Sequence, residues 1–172
     1  MAHARDGTVD WGDLARNMGA SLLEARHLDE AATLLTVAAV IDPRNAQVEN
    51  NLAIALLHKG DLGRAAEHAR RSVALDPRDA PAHNTLGQVL FRRAEYGAAL
   101  DEFSTAVGLD PDLLPALNNL AAAQEELGRT AEACASWARY GRARGGVAEA
   151  RAAERLQALS CVRREAQAPD AR

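Results

Sequence analysis

Asparagine recurs in this chain at a fixed interval. Asn17, Asn51 and Asn119 keep a frame of 34 residues, with Thr85 at the place between them, and Asn50, Asn84 and Asn118 keep the frame one residue earlier, after Arg16. A carboxamide carries a donor and an acceptor on one planar group, so it can hold a peptide unit by its N–H and its C=O together. Repeated at a fixed rise, such groups track an extended chain without reading its side chains. Asn also weakens a helix, so its recurrence there needs a reason other than helix stability.

The other reactive residue types do not converge. His3, His27, His58, His68 and His83 lack the i, i+4 pairing with an acidic neighbour that a zinc-binding helix shows. No Gly-rich loop follows a strand, and neither Cys134 nor Cys161 lies near a histidine in the expected stack, which argues against a nucleophile. The expectation is a chain without catalytic residues, metal or cofactor. Two cysteines make no disulfide framework. If their helices fold back around Gly145-Gly146, the residue facing Cys134 falls near position 156. Cys161 then lies about 7 Å too far along at ~1.5 Å per residue, so reduced, buried thiols are expected.

The elements that must position these residues follow the same frame. Asp-Pro recurs at Asp42-Pro43, Asp76-Pro77 and Asp110-Pro111, a period of 34 without slippage. Pro has no amide to donate and disfavours helix in the residue before it, so each pair ends a helix. Self-similarity at this period indicates stacked supersecondary units rather than one globular core. The spacing predicts helices from Asp10 as cap to about 25, over 28–41, 46–59, 62–75, 80–93, 96–109, 114–127 and 130–143, and a further helix over 147–166. Loops of two to four residues force antiparallel pairing.

Aligned copies show how the pairs pack. The eighth position is Gly19, Ala53, Gly87 and Ala121, and the twentieth is Ala31, Ala65, Ala99 and Ala133. Small residues there allow close helix axes. The seventh position, Met18, Leu52, Leu86 and Leu120, fills the space beside them, as do Leu22, Leu56, Leu90 and Gln124 at the eleventh. The twenty-fourth is a slot of varying size, holding Leu35, Ala69, Phe103 and Trp137.

These residues, with Pro43, Pro77 and Pro111 at the last position, resemble the tetratricopeptide repeat over about 12–147. The chain departs from that pattern at the fourth position, often Trp in the family, where it has Ala15, Glu49, His83 and Leu117. Tyr140 and Gly145 also depart, which suggests that the stack stops there. The resemblance implies an all-α, right-handed superhelical solenoid. Its parts would be a flexible leader over 1–11, units at 12–45, 46–79, 80–113 and 114–145, a capping helix over 146–166 and a disordered tail over 167–172.

The resemblance also implies a concave groove lined by the first helix of each pair, with positions five and six facing it. Asn17, Asn50, Asn51, Asn84, Asn118 and Asn119 then form two ladders that bind a peptide backbone; alternatively, some rungs bond the backbone of the adjoining repeat. Around them the groove is expected to present Leu23, Ile54, Leu57 and Phe91, with Gln88, Arg92, His58, Glu125 and Glu126. Such a mixed, weakly charged surface suits an extended or helical peptide with apolar anchors rather than an acidic tail. The carboxylate clamp of chaperone-tail adaptors in this family is not matched, since its places read Arg16, Ala20, Asn51, Pro81 and Thr85.

The expected function is therefore a non-catalytic protein-binding adaptor or scaffold. A secretion or assembly chaperone, or a subunit or homo-oligomer docking through the C-terminal helix, is the alternative. Nucleic acid is not expected as a partner. Residues 139–172 are net basic, with eight Arg against four acids, but no aromatic follows Tyr140, and a solvated helix face explains them. No apolar run suits a signal core or a membrane span, so a cytoplasmic protein is expected. Nineteen of the twenty basic residues are Arg, which beside so much Ala suggests a GC-rich, bacterial genome.

Overall fold

The structure, a computed structural model, describes residues 10–142 and 146–161. The leader before Asp10, the junction at Gly145, the end of the expected cap over 162–166 and the tail lie outside the described residues. All regular structure among those described is helical. The helices are α1 (Trp11–Glu24), α2 (Leu28–Ile41), α3 (Ala46–Lys59), α4 (Leu62–Leu75), α5 (Ala80–Arg92), α6 (Tyr96–Leu109), α7 (Leu114–Glu126), α8 (Thr130–Arg142) and α9 (Gly146–Ala158).

Local chemistry sets their ends. Asp10 caps α1 by accepting from the amides of Gly12 at 2.9 Å and Asp13 at 3.1 Å. Asn45 and Asp61 cap α3 and α4 in the same way, through the amides of Val48 and Arg64. At the other ends, the amides of Asp42, Asp76 and Asp110 each donate over 2.9 Å to the carbonyls of Ala38, Ser72 and Ala106. Each of those residues is followed by the proline that stops the helix.

Within each repeat the turn uses one left-handed residue. It is Arg26 (φ 65°), Gly60 (φ 82°), Ala94 (φ 60°) and Gly128 (φ 68°) in the four copies. Two copies thus place a side chain where glycine is favoured.

The chain divides into two compact units, Met1–Pro77 and Arg78–Arg172. In the first, α1 and α2 pair, α3 and α4 pair, and α2 packs on α3. Ala15, Ala38 and Val48 join the two pairs in one cluster. In the second, α5 pairs with α6, α7 with α8, α6 packs on α7, and α9 lies on α8. The small eighth positions make the close approach predicted for them. A Cβ on Gly19 would sit 2.7 Å from Leu35, and one on Gly87 would sit 2.5 Å from Phe103.

Helix α9 ends at Ala158 rather than near 166. It buries Ala148 and Ala152. Gly141 gives it room, because a Cβ there would meet that of Ala152 at 2.7 Å. Leu156 and Leu159 pack with Tyr140 on the cluster of Ala121, Ala133 and Trp137.

Past Ala158 lies a correction to the expected thiols. Cys134 and Cys161 form a disulfide, with Cα atoms 5.9 Å apart. The expectation of reduced cysteines assumed that Cys161 continued along a helix axis. Instead the helix stops, Ser160 takes a left-handed conformation (φ 55°), and the chain folds beside α8.

Candidate functional site

In the first compact unit, α1 carries Asn17, which is exposed, and α3 carries Asn50 and Asn51. The ladder was expected to be exposed throughout, but Asn50 is only 7% accessible and Asn51 is half-buried. Neighbouring helices leave α3 little free surface. The same crowding corrects Leu57, which was expected in the groove and belongs to the core at 4% accessibility. Leu23 and Ile54 are half-buried, and His58 is exposed.

In the second unit, three carboxamides join α5 to α7. Asn119 donates from Nδ2 to Oδ1 of Asn84 over 2.9 Å, and Asn118 donates to Oδ1 of Asn119 over 3.2 Å. The alternative reading of the ladder had a rung bonding the backbone of the adjoining repeat; here the bond between repeats runs from side chain to side chain, and Asn84 is 9% accessible. Thr85 turns its hydroxyl back on its own helix, donating to the carbonyl of Pro81 at 3.0 Å. Gln88 is half-buried and Arg92 exposed. Phe91, also half-buried, meets the ring of Tyr96 edge-on with centroids 5.1 Å apart.

The carboxamides are not all satisfied. Oδ1 of Asn50, Oδ1 of Asn118 and Oε1 of Gln124 are buried without a hydrogen-bond partner among the described residues. Buried acceptors of this kind are few in folded proteins and cost about 1–3 kcal/mol each.

Glu125 was expected among the groove residues. The structure engages it within the second unit, where it accepts from Nε1 of Trp137 and from the guanidinium of Arg155 on α9. Glu126 is exposed.

Sequence reasoning also missed two contacts between a histidine and a carboxylate. Nδ1 of His68 lies 2.7 Å from Oε2 of Glu49, whose Oε1 lies 3.1 Å from the guanidinium of Arg71. Nδ1 of His83 lies 2.7 Å from Oε2 of Glu102. The signal was present in the frame, because positions four and twenty-three hold Glu and His in the second copy and His and Glu in the third. No group of three or more His, Cys, Asp or Glu suited to a metal occurs among the described residues.

No protein-family model and no curated protein matches the sequence. Solved structures do match it. The thermophilic TPR protein TTC0263 of Thermus thermophilus is similar over 86% of this chain and 82% of its own, with a TM-score of 0.75 and 19% identity. Pseudomonas aeruginosa pilF is similar over 91% of this chain and 70% of its own, with a TM-score of 0.79 and 23% identity. The Sgt2 TPR domain from Aspergillus fumigatus is similar over 72% of this chain and 83% of its own, with a TM-score of 0.67 and 21% identity. Paired helices in a frame of 34 residues, small residues at the crossing points and these neighbours agree: the chain has the all-α fold of tetratricopeptide-repeat proteins.

Proposed function

We propose that this chain is a non-catalytic adaptor that binds a peptide segment of another protein through the carboxamides on its first-in-pair helices. One observation supports the reading: in the second unit, Gln88 on α5 and Asn118 and Asn119 on α7 are only half-buried. An extended peptide presents N–H and C=O groups at regular spacing, and a carboxamide can bind both. The structural neighbours support the same reading, since tetratricopeptide folds are generally interaction modules. Helix α9 is read as a cap on the last repeat, because its apolar side chains are covered by α8 and the Trp137 cluster.

The disulfide supports an oxidising compartment rather than the cytoplasm expected from the sequence, since such bonds persist where thiols are not kept reduced. No helix among the described residues is long and apolar enough to cross a membrane.

The test is selection of peptides from a random displayed library by the immobilised protein, followed by titration of a selected peptide. Asn118→Ala, and separately Asn119→Ala, should weaken that peptide by about 1–3 kcal/mol while the helical spectrum is kept. Failure to select any peptide, or wild-type affinity in both variants, removes the reading.

A further inference from the structure

The bond between Cys134 and Cys161 lies where a thiol can reach it. Both residues are half-buried, and both line an open cleft of about 450 Å³ with Thr130, Ala131, Leu159 and Ser160. Structural disulfides resist reduction by glutathione, whereas exposed or strained ones are labile. This bond has a share of both properties. The chain reaches Cys134 through Ser160 in a left-handed conformation (φ 55°), which a residue with a side chain adopts at a cost.

What the bond holds is α9. It ties the second turn of α8 to the residues just past Ala158, so that α9 lies inside the closed loop. The other ties are weak. Of the described apolar side chains of α9, Ala148 and Ala152 are buried, Leu156 is half-buried and the rest are exposed. Two alanines remove little apolar surface from water. The polar ties are Arg155 on Glu125 and Arg151 over the Trp137 ring, 5.9 Å from its centroid. Arg151 is exposed and Arg155 half-buried, so water and salt weaken both contacts. A helix of this length is also marginal in water by itself. Beneath α9 lies the Trp137 cluster, with Tyr140 edge-on to the Trp137 ring at 5.6 Å between centroids.

We propose that the Cys134–Cys161 bond is a reversible thiol latch on the last repeat. Closed, it keeps α9 in place. Opened by a dithiol reductant, it releases α9 and uncovers Trp137, Tyr140 and the Glu125 carboxylate. The reductant's thiolate attacks one sulfur of the bond, forms a mixed disulfide and expels the other cysteine, which takes a proton. Its second thiol then attacks the mixed disulfide and expels the first cysteine in the same way. Two electrons and two protons pass to Cys134 and Cys161, and the reductant leaves as its own disulfide. An oxidised dithiol runs the same steps in reverse. The latch requires a compartment in which the bond forms and dithiol carriers are also present.

Equilibration of the whole chain with mixtures of reduced and oxidised glutathione tests this, with free thiols counted by alkylation and mass. The bond should open in more than half of the molecules in millimolar reduced glutathione, where structural bonds stay closed. In the opened protein, amide exchange in α9 should be at least about tenfold faster, with α5 and α6 unchanged as the internal reference. Oxidised glutathione should then restore both the bond and the protection. A bond that stays closed throughout, an open bond with α9 still protected, protection lost equally from α5 and α6, or failure to reclose would overturn the proposal.

Discussion

Glu49 and His68 form the same contact as His83 and Glu102, with acid and base exchanged between the two helices. Both contacts measure 2.7 Å from Nδ1 to Oε2, and both join the fourth position of one repeat to the twenty-third. The family often places Trp at the fourth position, and in these two copies a contact between histidine and a carboxylate occupies that space. Local geometry thus constrains the pair and leaves the order of its members free.

Burial should set what each pair contributes. The Glu49 side chain is 1% accessible and faces both His68 and Arg71, while that of Glu102 is 26% accessible and faces His83. Glu49→Gln should therefore cost about 2–3 kcal/mol, as for hydrogen bonds to a buried charge, and Glu102→Gln about 1 kcal/mol. Urea unfolding of the two variants gives the comparison, and equal losses would show that burial is not what matters.

Gly87 is held small by Phe103. Gly87→Ala places a Cβ 2.5 Å from Cε1 of that ring, so the variant should lose about 1–3 kcal/mol through overpacking. Adding Phe103→Leu should recover part of that loss in a double-mutant cycle. If the single variant unfolds at the wild-type urea concentration, α5 and α6 are not packed as described.

At the left-handed turn positions, two repeats bear an avoidable cost. Ala94→Gly should raise stability by about 0.5–1 kcal/mol, the relief of a side chain at φ 60° less the entropy glycine adds to the unfolded chain. Gly60→Ala, at φ 82° with open space around it, should show the opposite sign. Thermal unfolding distinguishes these outcomes.

The disulfide joins cysteines 27 positions apart and closes a loop that contains all of α9. Cys161→Ser should destabilise the last repeat by about 2–4 kcal/mol, chiefly by freeing the unfolded chain. Hydrogen exchange should show the loss concentrated in α8 and α9, with α1 to α4 unchanged. Uniform protection in the variant would mean that Glu125, Arg155 and the Trp137 cluster hold α9 unaided.

The sequence by itself determined the repeat frame, the helix ends at Asp-Pro, and the small crossing residues opposite Leu35 and Phe103. Each of these depends on neighbours a fixed, short distance along the chain, so backbone sterics and periodicity suffice to read it. Only the tertiary structure decided which frame positions are open. Met18 and Leu52 hold equivalent places, yet a preceding helix pair packs on α3 and none among the described residues packs on α1. Asn84 and Leu57 looked like groove residues by position, and packing against neighbouring helices buried them. The Cys134–Cys161 bond lay beyond reach of spacing because Ser160 reverses the chain after α9, and a left-handed serine has no reliable signature in sequence. Burial and disulfide pairing depend on what arrives from elsewhere in the fold, which helical spacing alone does not encode.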